Sequence, residues 1–262
     1  MAAAEGAWSD LRTRLLSAAV LLLVALIGVT LGGVWFTLLV LVAVGLMVWE
    51  LVPLFGSASP QLRVGLGALG AGSVAFLIYW QSEVAFGLLL AAPILVALRA
   101  GHDRIAGFFY TLAVLAAGAG LIFLRAEGWE PLVWLIAVVI ASDVLGYFAG
   151  RMLGGPKFWP AVSPKKTWSG TIAGWFGAAL VGVGFVLWCD AGWGLVALSA
   201  VTALAGQMGD IAESALKRRA RVKDSSRLIP GHGGVLDRFD AILGAALVWL
   251  VISGTPLAGV LP

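Results

Sequence analysis

Charge is scarce in this chain. Of its 262 residues, 12% are Asp, Glu, Lys or Arg and 61% are apolar, against about one-quarter charged in a soluble globular domain. That shortage excludes a water-soluble fold of this length, and the mean hydropathy of +1.00 makes the bilayer the implied solvent. Cysteine is scarcer still. Cys189 stands alone, which excludes an intramolecular disulfide and a cysteine-rich metal site, and it reads as a small buried hydrophobe. No repeat of fixed period and no low-complexity tail is present. A cleaved leader is not expected, because the apolar run from Leu11 to Leu31 is too long for a signal-peptide core and no small-residue cleavage site follows it. The formal net charge of +3 and pI near 9.3 do not point to nucleic acid, since the basic residues fall between apolar spans, as membrane topology requires.

What is present in quantity is apolar sequence in stretches of about 20 residues, the length a helix needs to cross about 30 Å of hydrocarbon. Charges, Pro and Gly as boundaries give about nine spans, at 11–31, 34–55, 63–80, 84–98, 106–124, 131–150, 170–189, 193–213 and 236–256. The expected fold class is therefore all-α, a polytopic transmembrane bundle with its amino terminus in the cytoplasm. The orientation comes from the positive-inside rule. With nine spans, every basic residue except Arg125 falls on the cytoplasmic side, from Arg12 and Arg14 through Arg63, Arg99, Arg104, Arg151 and Lys157 to the run Lys217–Arg238. The chain reads as one integral membrane domain, with amino-terminal spans over 1–130 and a catalytic portion over 131–262. That portion carries cytoplasmic loops at 151–169 and 214–236. Small residues such as Gly174, Gly177 and Ala178 let helices approach closely in lipid.

Ionisable groups inside a bilayer are costly and usually functional. Glu50, Asp143, Asp210, Glu213, Asp237 and Asp240 lie within or at the ends of spans, all toward the expected cytoplasmic face. Glu50 by itself reads as a solvated helix end. Asp237 and Asp240, three apart, project from one face of the first turn of the last span, where a divalent cation would relieve their repulsion. Asp210, Ser214 and Lys217 form a column of acid, hydroxyl and amine, and Asp143 and Tyr147 repeat the spacing. Oxygen ligands without His or Cys partners suit Mg²⁺, which prefers carboxylates plus substrate phosphates.

The segment from Ser214 to Asp240 reads SALKRRARVKDSSRLIPGHGGVLDRFD. Its basic residues make an anion site, and the break Pro230, Gly231, His232, Gly233, Gly234 lets backbone approach a ligand. A basic stretch beside a membrane also holds anionic lipid headgroups, yet that leaves the interleaved Asp224, Asp237 and Asp240 unexplained. Cations that grip phosphate beside acids that hold metal are what phosphoryl or nucleotidyl transfer needs.

Ser214, Leu216, Lys217, Arg218, Lys223, Asp224, Ser226, Ile229, Pro230, His232, Gly233, Gly234, Val235, Asp237, Arg238, Phe239 and Asp240 resemble the complete signature of the phosphatidate cytidylyltransferases, also called CDP-diglyceride synthetases. The match covers 27 residues, and ASDVLGYFAGR from Ala141 and SPKKTWSG from Ser163 resemble further family segments. Glu50 lies outside all three. The resemblance implies transfer of CMP from CTP to phosphatidic acid, releasing pyrophosphate and forming CDP-diacylglycerol for phospholipid biosynthesis. It implies that Asp224, Asp237 and Asp240 hold Mg²⁺, with Asp143 or Asp210 as further ligands. Mn²⁺ is an acceptable substitute, and a second, monovalent cation is left open. Lys217, Arg218, Lys223 and Arg238 would bind the triphosphate or the phosphatidate headgroup, and Lys165 and Lys166 would close over the nucleotide. Ser214, Gly233 and Gly234 complete the substrate-binding set. His232 is either a phosphate hydrogen-bonding group or a structural loop histidine. The expected partners are CTP, phosphatidic acid and membrane lipids, with no nucleic acid; a homodimer is compatible. The expected place is a bacterial inner membrane with the active site facing the cytoplasm.

Two rivals are weighed against this. A CDP-alcohol phosphotransferase would carry its acids in a DG…AR…G…D…D arrangement within one helix pair, which this chain lacks. An ion-coupled transporter would place its carboxylates near the midplane, on interrupted helices in two related halves. Here they gather at one face.

Overall fold

The structure is a computed structural model describing residues 2–262, with the side chains of 1–12, 14 and 102 outside the described set. Arg12 and Arg14 of the topology count fall among those side chains. Two compact units form, Met1–Leu115 with Ala220–Phe239 and Ala116–Arg219 with Asp240–Pro262.

The first unit is built from α1 (Ala2–Leu31), α2 (Gly33–Leu51), α3 (Pro60–Trp80), α4 (Glu83–Leu89), α5 (Ala91–Arg99) and the first half of α6 (Arg104–Glu127). Ser59 caps α3 by accepting from the Leu62 N–H at 3.2 Å, one residue before Pro60, whose missing N–H costs nothing at a helix start. Apolar side chains of α2, α3 and α5 bury together, with Val44, Val48, Leu51, Val74 and Val96 at 0–1% exposure. The unit also takes in the segment 220–239, which carries most of the family-like signature.

The second unit contains the rest of α6, α7 (Trp129–Leu153), strands β1 (Lys157–Trp159) and β2 (Ser163–Thr167), α8 (Trp168–Cys189), α9 (Gly194–Arg219) and most of α10 (Leu236–Ile252). Glycine lets α7 and α8 approach: a Cβ on Gly146 would stand 3.1 Å from the Gly170 carbonyl oxygen. A Cβ on Gly244 would overlap the Ala205 carbonyl, and one on Gly209 the Asp240 carbonyl, so the unit's part of α10 lies against α9. Trp134, 1% exposed, satisfies its indole N–H on Ser199 Oγ at 2.9 Å, as a buried polar tip requires.

The architecture is all-α and polytopic, as expected. Six helices among the described residues are long and apolar enough to cross a membrane, at 33–55, 60–80, 104–127, 129–153, 168–189 and 194–219. Their outward faces carry large apolar side chains, among them Ile105, Leu153 and Leu187, each more than 70% exposed, as lipid-facing residues should be. The other three expected spans take different forms. The apolar part of α1 is the shorter run Leu15–Leu31, and α10 has 17 residues. The span expected at 84–98 is broken into α4 and α5. Pro93 accounts for the break: its ring excludes a continuous helix through the carbonyl four residues earlier, Leu89, where α4 ends. The 151–169 segment, expected as a plain loop, contains the antiparallel β1–β2 hairpin. At its end Thr167 caps α8, accepting from the Gly170 N–H at 3.2 Å.

Candidate active site

The residues singled out in the sequence fall into two groups, one in each unit. Lys223, Asp224, His232, Gly233, Gly234, Asp237 and Arg238 belong to the first, and Asp143, Lys165, Lys166, Asp210, Ser214, Lys217, Arg218 and Asp240 to the second.

In the first group, a tight turn organises the glycine break. The His232 N–H donates to the Ile229 carbonyl at 2.9 Å across Pro230 and Gly231, and Gly231 takes φ +75°. Proline followed by a residue at positive φ is the pattern of a type II turn. The Ile229 N–H returns to the Gly233 carbonyl at 2.7 Å and closes the loop on itself. His232 Nδ1 lies 2.9 Å from Ser17 Oγ, which also donates to the Pro230 carbonyl at 2.9 Å. Those bonds supply the structural half of the His232 reading.

Asp237 is buried, 8% exposed. Its Oδ2 accepts from Ser225 N–H at 2.9 Å, Ser225 Oγ at 2.9 Å and Gly234 N–H at 2.7 Å. An acid in the first turn of α10 also suits the helix dipole. The carboxylate that the spacing marked for metal therefore ties the loop together. Gly234 has no room for a side chain, since a Cβ would overlap Ser225 Oγ and stand 2.6 Å from both Glu50 carboxylate oxygens. Gly233 has φ +88°, and a Cβ there would sit 2.7 Å from Asp237 Oδ2. By contrast Lys223, Asp224 and Arg238 are exposed.

Glu50 is where the sequence reading fails. It was expected as a solvated helix end, and it is 0% exposed. Its Oε1 accepts from Ser226 Oγ at 2.6 Å and Val235 N–H at 2.9 Å, and its Oε2 from Leu236 N–H at 2.7 Å and Ser225 Oγ at 3.2 Å. The two backbone donors are among those left unmatched at the start of α10. Position at the end of an apolar run looks the same whether the acid meets water or donors from a segment 175 residues away.

In the second group, Lys166 Nζ forms an ion pair with Asp210 Oδ2 at 2.5 Å and donates to the Gln207 carbonyl at 3.3 Å. Lys165, next to it on β2, is exposed. Successive strand residues point to opposite faces, and Lys166 is the one of the two that is turned toward Asp210. The column on α9 forms in part: Ser214 Oγ donates to Asp210 Oδ1 at 3.3 Å. Lys217 Nζ donates to Glu213 Oε2 at 2.9 Å, with Glu213 fully buried. Asp143 and Asp240 both lie near enough to Asp210 to feel its charge. On α7, Tyr147 Oη accepts from Arg151 at 3.1 Å.

Gln207 carried no motif and was missed. Buried on α9, it donates to Ser142 Oγ at 3.1 Å and the Thr171 carbonyl at 3.3 Å, and accepts from Trp175 Nε1 at 3.0 Å. It joins α7, α8 and α9 one turn from Asp210, and Gly174 leaves the space it fills. A lone glutamine in an apolar span was the available signal.

Among the described residues no group of three or more His, Cys, Asp or Glu side chains forms a metal cage by itself. Beside the Lys166 ammonium, the groups around Asp210 are nevertheless hard oxygens, carboxylates of Asp143, Asp210 and Asp240 with the Ser214 hydroxyl. That set fits a cation which takes one or two carboxylates and completes its shell with substrate phosphates and water.

A model of the Cytidylyltransferase family matches residues 12–254. Proteins named phosphatidate cytidylyltransferase from Brucella abortus biovar 1 (strain 9-941) and Brucella suis biovar 1 (strain 1330) are each 39% identical over 252 residues, covering 91% of this chain and 91% of their own. One of the same name from Staphylococcus aureus (strain COL) is 38% identical over 141 residues, or 52% of this chain and 54% of its own. Matches of that extent, on a polytopic helical chain, show that this protein belongs to the cytidylyltransferase family and is a membrane nucleotidyltransferase of phospholipid biosynthesis.

Proposed function

We propose that the protein transfers CMP from CTP to phosphatidic acid, giving CDP-diacylglycerol and pyrophosphate. A non-bridging oxygen of the phosphatidate monoester attacks the α-phosphorus of CTP. The bond from that phosphorus to the oxygen shared with the β-phosphate breaks, and pyrophosphate leaves with the electron pair. The attacking phosphate is already an anion at neutral pH, so no strong base is required, and the demand is for positive charge and positioning.

The observation that carries this reading is the division of labour within the signature 214–240. Asp237, Ser225 and Gly234 are buried and hold the loop, while Arg218, Lys223, Asp224 and Arg238 are exposed. A segment that only held lipid headgroups would not need buried carboxylates to fix its backbone. Lys217, Arg218, Lys223 and Arg238 are the cations for the triphosphate and the phosphatidate headgroup, and Ser214, Gly233, Gly234 and His232 complete the binding set. Lys165 and Lys166 serve the nucleotide, Lys166 after exchanging its partner Asp210. Mg²⁺, with Mn²⁺ as substitute, would be held by Asp143, Asp210 and Asp240, while Asp237, whose carboxylate is taken up by Ser225 and Gly234, holds the signature loop and Asp224 is that loop's exposed acid. When bound it would screen the approach of two polyanions and stabilise charge on the leaving pyrophosphate. The site faces the cytoplasm of a bacterial cell membrane, in keeping with the distribution of Lys and Arg.

The test is release of pyrophosphate by detergent-purified protein given CTP and phosphatidic acid, run beside other nucleotides and with diacylglycerol in place of phosphatidic acid. Release that is independent of phosphatidic acid refutes the reading.

A further inference from the structure

A carboxylate in a protein interior is stable only where donors replace the water it gave up. Glu50 has four such donors, drawn from the two ends of the segment 225–236. Ser225 and Ser226 directly follow Lys223 and Asp224, and the Val235 and Leu236 N–H groups open the helix that carries Asp237 and Arg238. Ser225 also donates to Asp237 Oδ2, so the two buried acids share one hydroxyl. The exposed residues of the signature are thus mounted on a stretch whose ends are pinned to one side chain of α2.

We propose that Glu50 is a positioning residue for cytidylyl transfer, holding the signature loop and the start of α10 in the arrangement that presents Lys223, Asp224 and Arg238 to substrate. The proposal rests on the reaction proposed above. Acceptor capacity is what the site requires, and shape alone does not supply it. In Glu50→Gln the amide nitrogen replaces one carboxylate oxygen, and either choice leaves it facing a backbone N–H, of Val235 or of Leu236. Serine hydroxyls can rotate to suit an amide; backbone donors cannot. One end of α10 then loses its acceptor, and the loop shifts relative to the groups it carries.

The experiment measures kcat, KM for CTP and thermal unfolding for wild type, Glu50→Gln, Ser226→Ala, the double variant and Val74→Ala, a cavity control on α3. Misplacement by about 1 Å lowers turnover on the order of a hundredfold, so Glu50→Gln should lower kcat at least about 30-fold while KM for CTP changes by less than about threefold. Val74→Ala should lower the unfolding temperature and leave kcat per folded molecule unchanged. Ser226→Ala keeps both backbone bonds, so it stays folded even where Glu50→Gln does not; its kcat should fall by about three- to tenfold. Where Glu50→Gln folds, the double variant should be no worse than Glu50→Gln, since both act through one network. Trypsin cleavage at Lys223 and Arg227 supplies a readout that needs no activity, and Glu50→Gln should speed it about tenfold relative to cleavage at Arg151. A wild type inert toward CTP and phosphatidic acid overturns the assigned reaction, and the proteolysis then still reports whether Glu50 holds the loop. Unchanged kcat in Ser226→Ala, or in a folded Glu50→Gln, or unchanged loop cleavage, overturns the role given to Glu50.

Discussion

Gly234→Ala adds one methyl group to the chain, and the structure assigns it a large cost. The new Cβ would overlap Ser225 Oγ and stand 2.6 Å from both Glu50 oxygens, well inside contact distance. Overpacking a filled site costs about 1–3 kcal/mol. Relief requires moving Ser225 or Glu50, and either motion lengthens a hydrogen bond to a carboxylate, each worth about 1.5–3 kcal/mol. The sum, about 2.5–6 kcal/mol, falls on the loop and the start of α10, so local opening precedes global unfolding. Gly184→Ala is the matched control. Nothing lies within 4 Å of a Cβ there, in the interior of α8, and alanine in a helix should gain about 0.5–1 kcal/mol over glycine. The assay compares both variants in detergent for hydrogen exchange at residues 225–236, unfolding temperature and pyrophosphate release. Gly234→Ala should lose protection in that segment and at least tenfold in turnover, and Gly184→Ala should lose neither. Wild-type exchange and turnover in Gly234→Ala would mean that the loop does not pack as described.

Asp237→Asn should lower both turnover and loop protection, because whichever way the amide is turned its NH2 group faces a backbone N–H, that of Ser225 at the Oδ1 position or those of Ser225 and Gly234 at the Oδ2 position, whereas Asp240→Asn should cost more than tenfold in turnover with unchanged exchange at 225–236. Equal exchange behaviour in the two variants would contradict the different placements of these acids. Turnover should require Mg²⁺ or Mn²⁺ and vanish with a chelator, since hard oxygen ligands around two polyanions call for a hard cation; full activity in excess EDTA would falsify a metal-dependent mechanism. After replacement of Cys189, single cysteines near Arg219 and Lys165 should react with a membrane-impermeant thiol reagent only from the cytoplasmic side, and labelling from outside would reverse the proposed orientation.

The sequence by itself determined the solvent and the family. Apolar runs long enough to cross a bilayer had no other place to bury their surface, so α2, α3 and α6 to α9 were legible within a few residues of their ends. The family was legible in the 214–240 segment, whose order of cations, acids and glycines resembles the cytidylyltransferase signature. Local rules also explain what span counting missed: Pro93 divides one apolar run into α4 and α5. Tertiary structure alone decided which acids face water and which are consumed as acceptors. Asp237 looks alike in sequence to Asp224, an acid next to a basic residue, and Glu50 reads as an acid ending an apolar run, yet Glu50 and Asp237 are buried and Asp224 is exposed. Their difference lies in the partners that folding delivers, Ser225, Ser226, Val235 and Leu236 for Glu50. Lys166 read as a nucleotide cation, and only the fold shows the ion pair it makes with Asp210. Periodicity and composition report what a residue is and which face of its own element it occupies. A hydrogen bond between positions 50 and 236 depends on how distant segments meet, and no local pattern encodes that meeting.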